Sequence, residues 1–481
     1  MSCHFELIRI KMYKIDKDKS WSAFCVVTIL IALVPIVLAT CRNMLECDEA
    51  YYLTFVERIS AGSDLYADVN CGYTPLFFYI LAGLKYMLHI GYGRYEFYLA
   101  VFFIFQICCS YFIYKICREF KINRYLSYIV AWAFLIQSHY MEGNVVLLEI
   151  PSMTFGLAGT YMSINNKYNS WHKYVLVGFL YSCAMLCKQY GAGYIAIGVI
   201  LIMIFEHDKI RKILYMSIGF VLPILLCILY WKTDFIMLFF SGYGTSSAKA
   251  AGYDVSLAQK INMILHAYKN LCFRVAWVFP VSLLFVPLII KNGYIKHYLF
   301  CLFGAVVFSF QFYFTYSVHY MLFFLPYIAI ISAVIISVST SIVSKIVSYS
   351  SFGLMILFAL YSTYHNRVYK LYLKDYKQKQ VEFASKVKSY VDDDKTLWIV
   401  HGGMYYVYYM ADIKPPLMEY SFGPLAIDEN RATQLAESAD YVLSYVKDYP
   451  YDSFYTQRLK DYVWAHEMIV MDDESVLHIM K

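Results

Sequence analysis

The adjacent carboxylates Asp48 and Glu49 lie just beyond an uncharged apolar run, Ser22 to Thr40. An acid at such a boundary is wet enough to ionise. It is also near enough to the hydrocarbon edge to meet the head group of an amphipathic substrate and take a proton from a reacting hydroxyl. The same pair opens a short amphipathic stretch that reaches Arg58 and stops at Gly62. Acids are favoured at a helix start by the partial positive charge there, so capping explains Asp48 as readily as chemistry does, with Glu49 beside it. Further polar residues stand at the ends of apolar segments: Glu142, Glu149, Lys188 and His319. Lys188 also reads as a lysine whose stem lies along apolar surface, and His319 as a simple interfacial residue.

The elements that must position these side chains are membrane helices. Of 481 residues, 60% are hydrophobic and 16% charged, which is too apolar for an ordinary soluble enzyme. Ser22 to Thr40 is close to the roughly 20 residues that cross the hydrocarbon core, and it follows Arg9, Lys11, Lys14, Lys17 and Lys19. Further spans follow it, so it reads as a retained first span with the N-terminus inside, not as a cleaved signal peptide. Later apolar segments run from Phe97 to Cys117, Tyr125 to Ser138, Ile150 to Ile164, Tyr174 to Cys187 and Tyr190 to Phe205. They continue from Ile213 to Trp231, Cys272 to Ile290, Tyr298 to Phe314, Tyr320 to Val338 and Ile346 to Tyr364. The expectation is an α-helical polytopic membrane protein of about eleven transmembrane helices.

Basic residues collect in cytoplasmic connections. Lys115, Arg118, Lys121 and Arg124 form one such cluster, Lys209, Arg211 and Lys212 another, and Lys291 and Lys296 a third. Putting all three inside leaves Asp48, Glu49, Glu142, Glu149, Lys188 and His319 together at the outer face. It also requires Pro75 to Ile90 to be a helix in or near the interface, as Lys85 within it and the Gly91-Tyr92-Gly93 turn after it suggest. Residues 365–481 then emerge outside. Their mixed charged and aromatic composition, a helical pattern up to Tyr390 and strand patterns at Thr396 to Val400, Asp440 to Tyr445 and Met468 to Met471 predict a small α/β domain. On the residues alone that domain is an exposed cap with no catalytic part, and residues 1–364 form the membrane region.

The 13 cysteines show no CxxC pairing, and most fall inside apolar helices, which argues against zinc. Cys41, Cys47 and Cys71 share the first outer loop, where an oxidising compartment would permit a disulfide. The net charge of +6 is explained by the inner loops, and nothing in it points to nucleic acid.

Several segments together carry a family resemblance. Asp48-Glu49-Ala50-Tyr51-Tyr52 and Gly72-Tyr73-Thr74-Pro75-Leu76-Phe77-Phe78-Tyr79 are similar to an opening loop of "DEAYY" and "PPLYY" type. Leu148-Glu149-Ile150-Pro151-Ser152 is similar to an "LDxP" segment and Leu186-Cys187-Lys188-Gln189-Tyr190-Gly191 to an "LTKxxG" segment. His319-Tyr320 through Pro326 is similar to a "RYLLPLLP" segment. In this order the chain resembles GT-C glycosyltransferases of the protein O-mannosyltransferase and aminoarabinose-transferase type.

The resemblance implies a helical membrane bundle with juxtamembrane helices in the first outer loop, residing in the plasma membrane. It implies transfer of a sugar from a polyprenyl-phosphate donor to a glycan, lipid or protein acceptor at the outer face. Asp48 would be the general base or acceptor-positioning acid and Glu49 its support. Glu149, Lys188, His319, Tyr320 and Tyr73 would bind substrate, Lys188 and His319 facing the carrier phosphate. Three departures alter that picture. Glu149 stands where Asp is usual, Tyr73-Thr74 replaces a Lys-Pro that would offer a phosphate ligand, and His319 replaces an Arg, which makes charge there depend on pH. Asp48, Glu49 and Glu149 could also hold a divalent cation through oxygen ligands, since a cation site and a catalytic base have the same composition. The rival functions are a lipid-linked oligosaccharide flippase or transporter, which calls for midplane polar residues or broken symmetric halves, and an outer-face polysaccharide polymerase, which calls for a large arginine-bearing loop.

Overall fold

The computed structural model describes residues 47–69, 71–141, 145–165, 170–244, 258, 261–262, 265–266, 269, 277–309, 311, 318–363, 376–400, 404–418, 429–445 and 457–481. The expected first span, Cys41 and Glu142 lie outside them. The helices of the first part are α1 (Cys47–Ser60), α2 (Leu76–Met87), α3 (Tyr95–Glu119), α4 (Arg124–Tyr140), α5 (Glu149–Ile164), α6 (Trp171–Cys187) and α7 (Gly193–Phe205). They continue with α8 (Lys209–Gly244), α9 (Val278–Leu283), α10 (Val286–Lys291), α11 (Ile295–Ser309), α12 (Leu325–Val338) and α13 (Ile342–Thr363). The C-terminal elements are α14 (Tyr376–Lys388), β1 (Leu397–Ile399), α15 (Tyr406–Ala411), α16 (Glu429–Ser438), β2 (Tyr441–Tyr445), α17 (Gln457–Trp464), β3 (Glu467–Val470) and β4 (Ser475–Ile479).

Among the described residues, four helical stretches are long and apolar enough to cross a membrane: Tyr95–Glu119, Lys209–Lys232, His319–Val338 and Ile342–Tyr361. The last 14 residues of the third form α12, every one buried but Ser337, so it runs through the centre of the bundle. The apolar run expected from Cys272 to Ile290 is described from residue 277 as two short helices, α9 and α10, meeting at Phe285. The long α8 is two helical segments that meet at Lys232, whose φ of 52° is left-handed.

Two devices draw the helices together. Between α6 and α8 the glycines are reciprocal. A Cβ on Gly178 would stand 1.8 Å from the Met216 carbonyl oxygen, and one on Gly219 would stand 1.9 Å from that of Val175. Small residues let two backbones approach this closely, which is how helices associate where lipid supplies no hydrophobic drive. Polar pairs add to this between α3, α4 and α5. Gln106 donates to Ser138 Oγ at 2.8 Å, and Thr154 donates to the Phe105 carbonyl at 2.9 Å.

Helix α1 begins with Asp48 and Glu49 in its first turn and carries Arg58 in its last, complementing the helix dipole at both ends. Gly62, at φ +98°, turns the chain away after it. The segment expected at the interface is α2, and its Lys85 finds a partner inside the protein. It is buried and ion-pairs with Glu57 of α1, and Glu57 Oε1 also accepts from the Tyr98 hydroxyl at 2.8 Å and the Gly93 amide at 3.0 Å. A lysine in an apolar helix has two low-energy solutions, water or a satisfied carboxylate, and only packing distinguishes them. Cys71 is a buried free thiol whose Sγ donates to the Tyr73 carbonyl at 3.8 Å.

The C-terminal strands form one sheet in the order β1-β2-β4-β3, with β1 parallel to β2 and the remaining pairs antiparallel. Sequence patterning missed β4, which pairs on both sides. Four of its five residues, Ser475 to His478, are buried, so it shows no alternation. His478 is fully buried with Nε2 3.0 Å from Ser444 Oγ, and burial pushes its imidazole down to about 4, with His466 adding repulsion.

Two tests follow from this packing. Gly178→Val forces α6 off α8 and lowers the melting temperature of detergent-solubilised protein, at a cost of about 1–3 kcal/mol or more. Gly353→Ala, inside α13 with nothing near its Cβ position, does not lower that temperature. An unfolded His478 takes up a proton near pH 6.5, and the folded one only near 4. Stability of the sheet therefore falls as pH drops through that window, by up to about 3 kcal/mol. Thermal unfolding followed through Trp464, whose ring lies 5.0 Å from the imidazole, checks this. His478→Gln flattens the dependence.

Candidate functional site

Four segments converge on one ammonium group. Lys188 ends α6 in an extended conformation, and the chain then enters a 3-10 turn, Gln189–Ala192. Gly191 makes that turn possible, because a Cβ there would stand 2.3 Å from the Ala184 carbonyl and 2.5 Å from Ser152 Oγ. Gln189 donates to the Gly72 carbonyl at 3.0 Å and fixes the turn to the loop that carries Tyr73. Glu149, opposite, opens α5. His319 and Tyr320 lie on the 3-10 turn Val318–Phe324 that leads into α12.

Lys188 Nζ is 3.1 Å from Glu149 Oε1, and both side chains are almost wholly buried. His319 Nε2 stands 3.9 Å from the same oxygen. Around the ammonium lie the rings of Tyr73 at 5.0 Å, Tyr320 at 5.3 Å and Tyr52 at 5.9 Å. Tyr190 packs edge-on against Tyr320 at 5.1 Å. Neither oxygen of Glu149 accepts a hydrogen bond from the described residues, and the buried Thr74 hydroxyl has no partner among them. A carboxylate compensated by a single ion pair in a dry site is expensive, and such sites concentrate where function needs them.

Asp48 is half-buried at the edge of this cluster. Burial pushes the Tyr73 phenol well above the ordinary range, and the Asp48 charge adds to that. Burial does the same for Tyr52, followed by Tyr73, Asp48 and Glu149. The phenols therefore remain neutral hydrogen-bond donors. Glu49 points into a different environment. Fully buried, its Oε1 accepts from the Tyr95 hydroxyl at 2.7 Å and the Val146 amide at 2.8 Å, pinning α1 to α3 and to the segment before α5.

Asp48, Glu149, Lys188, His319, Tyr73 and Tyr320 are thus brought together, while Glu49 is engaged in holding the helix. Sequence reasoning missed Tyr52, Gln189 and Thr74. Tyr52 carried a signal, since it stands one helical turn from Asp48 and shares its face. Among the described residues no three His, Cys, Asp or Glu side chains converge closely enough to hold a metal ion. Among the described residues Lys188 is the cation beside Glu149.

No protein-family profile matches the sequence, and no curated protein does. Solved structures do. ArnT from Cupriavidus metallidurans in the apo state superposes with a TM-score of 0.63 at 11% identity, over 96% of this chain and 98% of that one. The same protein bound to undecaprenyl phosphate gives 0.60 at 12% identity, over 95% and 98%. The archaeal oligosaccharyltransferase AglB from Archaeoglobus fulgidus, in complex with an inhibitory peptide and a dolichol-phosphate, gives 0.53 at 9% identity, over 87% and 69%. The chain has the GT-C fold that these proteins share, as the sequence resemblance implied.

The ion pair itself is testable without substrate. Lys188→Met leaves the Glu149 carboxyl buried and uncompensated and destabilises the protein by about 3–5 kcal/mol. The double change with Glu149→Gln recovers most of the loss. The melting temperatures of the two singles and the double give the coupling.

Proposed function

We propose that this protein transfers a sugar from a polyprenyl-phosphate donor to a hydroxyl of a glycan, lipid or protein acceptor at the outer face of the plasma membrane. The observation that carries the reading is the buried Lys188–Glu149 pair, ringed by phenols beside a half-buried carboxylate. It lies on a fold shared with a protein solved with undecaprenyl phosphate bound. The proposed architecture is about eleven spans, with α1 and α2 as juxtamembrane helices and residues 365–481 as an outer unit.

Asp48 removes the acceptor proton as the hydroxyl oxygen attacks the anomeric carbon. The bond from that carbon to the phosphate oxygen breaks, and its electron pair leaves on the polyprenyl phosphate. A positioned base of this kind contributes on the order of 10²- to 10⁴-fold. Lys188 and His319 face the charge that builds on the leaving oxygen, with Tyr73 and Tyr320 as neutral donors, and a site poor in water strengthens each contact. Glu149 orients Lys188, and Glu49 holds the helix that presents Asp48. With His319 neutral the cluster carries two carboxylates against one ammonium, so imidazolium at 319 favours donor binding. One displacement without a covalent intermediate inverts the anomeric centre.

Full-length protein in nanodiscs, given synthetic undecaprenyl-phosphate pentoses and hexoses, is expected to release undecaprenyl phosphate only when acceptor is present. Asp48→Asn lowers kcat by about 10²-fold or more at unchanged melting temperature. Wild-type turnover in that variant removes Asp48 from the role of base. Movement of the donor across the bilayer without transfer identifies a flippase instead.

A further inference from the structure

The C-terminal elements grip the helix that carries Asp48 at both ends. Near its start, Tyr51 stacks on Tyr405 with ring centroids 5.7 Å apart and planes 29° from parallel. At its end, Arg58, itself buried, reaches Asp412 Oδ1 at 2.8 Å and donates to the Ile413 carbonyl at 3.2 Å. Outside α1, in the turn between α2 and α3, the Tyr92 hydroxyl donates to the Tyr409 carbonyl at 2.9 Å. The gripping segment is rigid in turn. The Tyr408 hydroxyl donates to the Leu397 carbonyl at 2.8 Å and accepts from the Ile399 amide at 3.0 Å, hooking α15 onto β1.

Two features separate this contact from ordinary packing. Asp412 is the left-handed cap that ends α15, φ 52° and ψ 42°, a backbone aspartate adopts more readily than most residues. That cap turns its carboxylate to Arg58 at the foot of α1. The aromatic contact also continues into the site. Tyr51 meets Tyr73 edge-on at 6.0 Å, and Tyr73 is the phenol nearest to Lys188. Tyr405, Tyr51, Tyr73 and Lys188 are therefore one continuous column from the C-terminal elements to the charged cluster.

We propose that Tyr405 and the Arg58–Asp412 pair are positioning residues: the C-terminal elements set the orientation of α1, and with it the placement of Asp48 against the tyrosine-ringed Lys188. The inference rests on the function proposed above. A base displaced by about 1 Å loses on the order of 10²-fold while donor affinity is untouched, because the donor's anchors lie on other elements. The C-terminal part is then a working part of the transferase, not a cap over it.

The test uses the full chain in nanodiscs with the undecaprenyl-phosphate sugars above and, for binding, undecaprenyl phosphate alone. Tyr405→Leu and Arg58→Ala are expected to lower kcat at least 10-fold with KM for the donor within about 2-fold. Tyr405→Phe and Arg58→Lys restore most of the rate. Asp412→Asn guards against a folding defect, because asparagine tolerates the left-handed backbone while giving up the charge. It is expected to reproduce the kcat loss at a normal melting temperature. Hydrogen exchange supplies a readout independent of turnover: the amides of Cys47–Ser60 exchange at least 10-fold faster in Asp412→Asn, with undecaprenyl phosphate affinity unchanged. If Asp48→Asn abolishes transfer while these variants turn over and exchange as wild type does, the positioning role is wrong and the site stands. If Asp48→Asn keeps full turnover, the site reading fails, and the exchange data alone decide whether the grip on α1 is real.

Discussion

A charge removed from water must be compensated, and that requirement organises this protein. Burial of an ion costs several kcal/mol after relaxation, so each buried charge must find a partner within the fold. Two buried lysine–glutamate pairs meet the demand differently. Glu57, paired with Lys85, also accepts from a tyrosine hydroxyl and a backbone amide. It is fully satisfied and serves as a fastening between α1 and α2. Glu149, paired with Lys188, takes no hydrogen bond from the described residues, and the rings around the ammonium offer it only their faces. The first pair holds structure. The second leaves a buried carboxylate held chiefly by its ion pair, which is the costlier arrangement.

Helix α1 shows how neighbouring charges can be given separate work. Glu49, Glu57 and Arg58 are all buried: Glu49 reaches α3 and the segment before α5, Glu57 reaches α2 and α3, and Arg58 reaches the turn after α15. These fastenings fix the helix about its axis. Asp48 is left half-buried, on the face it shares with Tyr52. The proposed role of Asp48 as a base gains from this division, because its orientation would be set by neighbours that do not themselves react.

Much of the helical layout was legible in the chain. The apolar run from Phe97 to Cys117 became α3, Ile150 to Ile164 became α5 with one residue more, and Pro75 to Ile90 became the short helix α2. The shared fold was legible too, through ordered segments that are individually weak. Less legible were features that depend on what lies opposite. The pairing of Lys85 could not be read, because nothing in its own helix announces Glu57. The strand β4 was missed because a strand buried on both faces loses its alternation. The C-terminal part looked like an exposed cap because aromatic residues at Tyr405 to Tyr409 carry no local sign of the surface they cover.

The sequence alone pointed to the class of solvent: a chain this apolar, with basic residues clustered between its long apolar runs, has the composition of an integral membrane protein. It also put Asp48 and Glu49 at the start of a helix. Only the tertiary structure decided that these neighbours part company, one to the edge of a charged cluster and the other into a hydrogen-bonded fastening. Adjacent helical residues point about 100° apart. Which direction meets a tyrosine hydroxyl and which meets a buried lysine depends on residues far along the chain, Val146, Lys188 and Tyr405 among them, which no local pattern brings together.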